Sequence, residues 1–246
     1  NGSDTWLSIM PGSKAADSNI IYIKATENKS TTNSRTGSVV IESLYGFGRI
    51  DFHINQSALI PDEFDWTSMP DDEIWYVTRR QGEDNLGLGS CISNSYSGGL
   101  GKLKFSEPLT SISDMNINSE VTQLYLPDKV ENMTNVTIMN SNLTLLKLPA
   151  NLKTMQFCNI FDNFQLRKIA GELATEDGRA AVIDDRMVLF APAGIAEYTV
   201  PDGVKLIDRK VFYNNKELKK LVLPEGVEEL REMAISECAI EELTLP

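Results

Sequence analysis

A short motif recurs along the second half of the chain: two apolar residues flanking a variable one, followed by proline. It reads LYLPDKV from residue 124, LKLPANL from 146, YTVPDGV from 198, LVLPEGV from 221 and LTLP from 243. The prolines stand at 127, 149, 201, 224 and 246, so their spacings are 22, 52, 23 and 22, and the long interval is one unit of 23 with 29 residues inserted. A fixed period of this size predicts a solenoid, in which each coil buries its interior against the next.

Other positions keep the same beat. Asn118, Asn140 and Asn215 each stand nine residues before a proline, Cys238 stands eight before Pro246, and Asn163 leads the interrupted unit. Met133, Met155, Ile207 and Leu230 follow the proline by six residues, and Ile138, Ile160, Phe212 and Ile235 come five further on. Each position has a physical role. The alternating apolar pair turns both side chains of a short strand to one face, and proline, lacking an N–H, ends the strand and starts a turn. Gly203 and Gly226 allow the positive φ that such a turn can require. The Asn or Cys can hydrogen-bond backbone groups exposed where the chain bends, so Asn118, Asn140, Asn163, Asn215 and Cys238 are expected to stack as an internal ladder.

Over about residues 105–246 this rhythm resembles the leucine-rich repeats of BspA-like bacterial surface proteins. The resemblance implies a right-handed coil. Residues 112–118 are compressed against the pattern and Ile or Met often replaces the usual Phe, which predicts irregular early coils. The 29-residue insertion, about residues 170–198, holds two β-prone runs, RAAVI and RMVLFA, joined across Asp184 and Asp185, and reads as a β-hairpin interrupting the stack. Residues 58–104, with the alternating stretches EIWYVTRR and GKLKF, are expected to connect to the solenoid and cap its first coil.

Residues 1–57 are rich in Ser, Thr and Asn, and NIIYIKATEN, TGSVVIES and GRIDFHINQ alternate as short strands, which predicts a small β-sandwich. Trp6, a turn at Arg35-Thr36-Gly37 and the closing strand IDFHINQ resemble a BACON domain, an immunoglobulin-like module often associated with carbohydrate-active proteins. The expected fold class is therefore mostly β: an immunoglobulin-like sandwich, then a leucine-rich repeat solenoid carrying a hairpin.

Composition narrows the partner. Twenty-three Lys and Arg face 35 Asp and Glu, a formal charge of −12, which disfavours nucleic acid because counterion release needs clustered cations. No apolar run approaches the roughly 18 residues of a membrane helix. The three cysteines, Cys91, Cys158 and Cys238, form neither a C-x-x-C pair nor an even framework. His53 is the single histidine and falls within a predicted strand. The acidic pairs in PDEFD, PDDE, TEDG and IDDR read as turns and solvated charge, none fits a calcium loop, and GLGSCISNSYSGGLGK lacks the spacing of a phosphate cradle. No catalytic residue, metal site or cofactor is expected.

A solenoid of this kind recognises partners through the outward side chains of its repeated strands. Here these are Gln123, Tyr125, Leu145, Lys147, Glu197, Thr199, Lys220, Val222, Glu242 and Thr244, a row of mixed charge suited to an extracellular protein. The alternative is a glycan held by the BACON-like module or by an aromatic platform of Trp66, Trp75, Tyr76 and Tyr96. The family resemblance implies export to the surface of a Bacteroidetes cell, with a lipid anchor. Pro246 falls in mid-repeat, so further sequence or a packing partner is expected there.

Overall fold

The computed structural model describes residues 63–117, 120–139 and 142–246, together with the backbone of four upstream strands. Two of these, Leu7–Ile9 and Ile23–Ala25, pair antiparallel, as do Arg35–Glu42 and Arg49–Gln56. Arg35-Thr36-Gly37 opens a strand rather than forming the expected turn, and His53 lies opposite Ser38 in that ladder. Trp6 and the linking segments of the expected BACON-like module lie outside the described residues.

Residues 63–96 and 100–246 form one compact unit, which contains strands, turns and no helix among the described residues. Each L-x-L segment becomes a strand of a parallel ladder. Leu124 pairs with Leu146 and Leu146 with Ile169, so the inward row stacks at one-coil intervals. All three are fully buried, and each contributes roughly 1.5–3 kcal/mol through lost apolar exposure. Proline then ends the strand, and a turn closes with the N–H three residues on donating to its carbonyl: Val130 to Pro127 (3.3 Å), Leu152 to Pro149 (3.4 Å), Val204 to Pro201 (3.4 Å) and Val227 to Pro224 (3.3 Å). In the last two turns the third residue is Gly203 or Gly226, at φ 86° and 108°.

The chain returns through two short back strands. In the first, Ile112, Met133 and Met155 are in register; in the second, Ile117, Ile138 and Ile160. Both ladders run unbroken through residues 111–117, so the compressed early coil is regular where irregularity was expected. The paired strands keep their register through the shortened unit.

The insertion is a hairpin, Ala180–Ile183 against Arg186–Phe190, turning at Asp184 with φ 56°. It does more than interrupt the stack. Its second strand pairs in parallel with Leu206–Ile207, which pairs with Glu229–Leu230, so Met187 takes the place in the coil that Ile207 and Leu230 hold later. The front strands Glu197–Thr199, Lys220–Val222 and Glu242–Thr244 form their own ladder after the hairpin. Two buried clusters result, one around Leu124, Leu146 and Ile169, the other around Tyr198, Phe212 and Leu221.

At the N-terminal end Glu73–Thr78 adds antiparallel to Val121–Tyr125, and Leu100–Lys104 adds to Glu73–Thr78. Ser93–Ser97 completes the front sheet. Paired antiparallel strands stand here where a further coil would otherwise lie. Gly101 is required where Tyr76 crosses it, because an added Cβ would stand 2.2 Å from the ring.

Candidate recognition face

Two front ladders carry the ten outward residues expected to meet a partner, and the structure divides them. Gln123, Tyr125, Leu145 and Lys147 are buried, at 5%, 0%, 3% and 2% exposure. The reason is a segment that lies over them. Phe64, Trp66 and Met69 pack with Trp75, Tyr125 and Leu145 in a third apolar cluster. The Trp66 and Tyr125 rings lie 5.8 Å apart, tilted by 36°. Phe64 N–H donates to the Tyr125 hydroxyl at 2.9 Å, and that hydroxyl donates to Gln123 Oε1 at 2.6 Å. Burial pushes the Tyr125 hydroxyl up to about 12. Lys147 is satisfied internally by the Leu126 carbonyl at 2.8 Å and by an ion pair with Asp128, and Lys168 pairs with Glu63 of the covering segment. These four positions are therefore inner surface, and the N-terminal half of the expected face is closed.

The C-terminal half is open. Glu197, Thr199, Glu242 and Thr244 are exposed, and Lys220 and Val222 are half-buried. Parallel register aligns Glu197, Lys220 and Glu242 in one row and Thr199, Val222 and Thr244 in the next, with about 4.8 Å between neighbouring strands. Lys220 and Glu242 pair at 3.4 Å; an exposed pair of this kind is worth at most about 1 kcal/mol, so a partner's charge can replace it at small cost. Beside the covered half lies a shallow cleft of about 480 Å³, bordered by Trp66, Arg167, Lys168 and the Glu176–Arg179 turn.

The aromatic platform does not form as expected. Tyr76 is fully buried, its hydroxyl donating to Asn94 Oδ1 at 2.6 Å and accepting from Asp84 N–H at 2.9 Å. Trp75 is 6% exposed, with Lys102 Nζ 4.2 Å from its ring centre. Tyr96 lies 6.1 Å from Tyr76, and Trp66 is taken up in the cover.

The ladder residues occupy the bends. Asn163 is buried and donates through Nδ2 to the Ile138 carbonyl one coil back (2.7 Å), and Cys238 makes the equivalent bond to the Phe212 carbonyl (2.9 Å). Asn215 accepts from Glu217 N–H (3.0 Å) and Leu218 N–H (3.1 Å) through Oδ1. Its buried Nδ2 has no partner among the described residues. Asn118 and Asn140 lie outside the described residues. Burial raises the Cys158 and Cys238 thiols, so neither is an activated nucleophile.

A family model described as the BspA type leucine rich repeat region matches residues 90–172 and 186–246, in six copies. The chain is a BspA-type leucine-rich repeat protein. The family match begins within the cap, ahead of residue 105 where the rhythm first becomes legible. It breaks off over the first arm of the hairpin and resumes at Arg186, where the inserted strand rejoins the coil. Among solved structures, the crystal structure of the pneumococcal vaccine antigen PcpA is similar, with a TM-score of 0.38 and 21% identity, over 56% of this chain and 43% of that one. The chain thus spans less than half the length of that antigen. No curated protein matches.

Proposed function

We propose that this BspA-type protein is a non-enzymatic recognition module, exported and held at the cell surface, that binds an extracellular protein through the open half of its front sheet. One observation carries the reading: the Glu197, Lys220 and Glu242 row and the Thr199, Val222 and Thr244 row stand outward in register, while the equivalent side chains of the earlier coils are covered. A flat array of mixed charge and small β-branched groups offers hydrogen bonds and shape to another protein surface. Surface export and a lipid anchor are what the family resemblance implies, and metabolic labelling of the native protein with palmitate checks the anchor.

The test is binding of the purified chain to paired arrays of extracellular proteins and glycans at physiological salt, repeated with Lys220→Glu and Glu242→Lys. The proposal expects selective protein binding that each reversal lowers at least tenfold. Selective glycan retention, unchanged by both reversals, would move the function to the BACON-like module.

A further inference from the structure

The inserted hairpin leaves a fault in the back of the solenoid. Its strand Arg186–Phe190 pairs forward with Leu206–Ile207, but neither arm pairs with Thr154–Gln156 or Asn159–Phe161, and each of these is the last strand of its sheet. Thr154 N–H donates to the Glu131 carbonyl at 3.2 Å, and the Gln156 carbonyl accepts from Asn135 N–H at 2.9 Å. Peptide groups alternate along a strand, so those of Met155 face the other way, towards the fault. Asn159 N–H likewise donates to the Val136 carbonyl at 2.8 Å, which leaves Ile160 on the free edge.

A cleft of about 170 Å³ opens beside this edge, lined chiefly by Met155, Phe157, Ile160, Val188 and Leu189, with Lys210 on its far side. The lining mixes these apolar side chains with Asp208 and Arg209, and a space of this size holds one ring-bearing side chain.

Phe157 and Lys210 hold the same corner position in the coils on either side of the one that the hairpin strand Arg186–Phe190 completes. The corner between the back strands takes a left-handed φ at Asp114 (59°), Asn135 (54°), Phe157 (54°), Lys210 (59°) and Met233 (57°). Asp and Asn tolerate this conformation, and here Asn135 Nδ2 donates to Asp114 Oδ1 at 2.6 Å. An aromatic residue there is an outlier, and Phe157 is 79% exposed, so burial does not offset the strain. Strain that folding does not repay points to use.

Lys210 supplies the charge. Its ammonium stands 3.9 Å from the Phe161 ring centre and 5.0 Å from that of Tyr213, with no carboxylate partner among the described residues. The neighbouring charges are occupied: Arg209 by Glu232 at 3.5 Å, and Asp208 by Arg186 at 3.6 Å and Arg231 at 3.4 Å.

The geometry points to a second binding site at this seam, for an extended peptide segment of a partner protein. The segment adds as a strand to the Met155 and Ile160 edge, places an apolar ring beside Phe157, and sets the carboxylate that follows against Lys210. Main-chain hydrogen bonds supply affinity in such strand addition, and the side-chain pocket supplies choice.

Fluorescence anisotropy with labelled, end-blocked heptapeptides tests this, using Thr and Val flanks around a central Phe-Asp, Phe-Lys or Ser-Asp pair, and a Phe-Asp version N-methylated at alternate amides. The expected result is binding of the Phe-Asp peptide and at least tenfold weaker binding of the other three. Phe157→Asn, which restores the corner residue of a neighbouring coil and so keeps the fold, and Lys210→Glu should each weaken the Phe-Asp peptide at least tenfold. Lys220→Glu on the front sheet should leave it unchanged, which separates this site from the recognition face. No binding of the Phe-Asp peptide, equal binding of all four, full binding to Phe157→Asn, or loss in Lys220→Glu would overturn the assignment.

Discussion

Replacing Tyr125 with Phe tests whether half of the front sheet is closed. The ring is fully buried under Trp66 and stays so in the variant, so the change is confined to one oxygen. That oxygen accepts from Phe64 N–H at 2.9 Å and donates to Gln123 Oε1 at 2.6 Å. Losing it removes both bonds from beneath the cover and should cost about 1–3 kcal/mol at pH 7. The hydroxyl also gives the effect a pH signature. Its folded pKa is raised by burial from 10.0 to about 12, so the folded chain keeps a proton that the unfolded chain releases. Its stabilising effect is therefore fully present below pH 10 and is lost as pH rises through 12, by about 2–3 kcal/mol in all. Phe carries no such proton, so the gap between parent and variant should narrow over that window. Urea unfolding followed by tryptophan fluorescence at pH 7, 10 and 11 measures it. A gap below about 0.5 kcal/mol at pH 7, the range of ordinary surface substitutions, would refute the closed face. So would a gap that does not change with pH.

Other substitutions probe the coil. Gly101→Ala sets a Cβ 2.2 Å from the Tyr76 ring, which is held at its hydroxyl by Asn94 and Asp84; urea unfolding should show a loss of about 1–3 kcal/mol or more. Asn163→Ala removes a buried bond to the Ile138 carbonyl and should cost about 1–3 kcal/mol, whereas Cys238→Ala, which loses a weaker thiol donor at a half-buried site, should cost less in the same thermal scan. Phe157→Asn relieves a left-handed corner at φ 54°; at about 1–2 kcal/mol for the conformation and roughly 2–4 °C per kcal/mol in a chain of this size, it should raise Tm by several degrees.

The solenoid was legible because its constraints repeat. Proline, the inward apolar pair and the bend residue recur at one spacing, and each alone implies the same coil. The hairpin was legible as strands, but its parallel pairing with Leu206–Ile207 was not, since the alternation in RMVLFA states that a strand exists and not which neighbour it takes. The closed half of the face left a signal that outward position alone concealed. Tyr125 stands where the later coils carry Thr199, Val222 and Thr244, Leu145 stands where they carry Glu197, Lys220 and Glu242, and Phe64, Trp66 and Met69 supply an apolar segment that packs on both. A row that changes from apolar to polar along a solenoid marks where something covers it. The seam had no local signal, because Phe157 reads as an ordinary apolar residue until its left-handed φ and its exposure are known.

The proposed assignment of recognition to the later coils rests on the covering of the earlier ones. Limited acetylation of the folded protein, read lysine by lysine by mass spectrometry, tests it most directly, since Lys147 and Lys220 both lie at outward positions of the front strands, one in each half. Lys147 is 2% exposed and Lys220 is half-buried with its side chain 42% exposed, so Lys220 should be modified readily and Lys147 only after unfolding. Modification of both at similar rates in the folded protein would contradict the closed half, and with it the assignment of recognition to Glu197, Thr199, Lys220, Val222, Glu242 and Thr244.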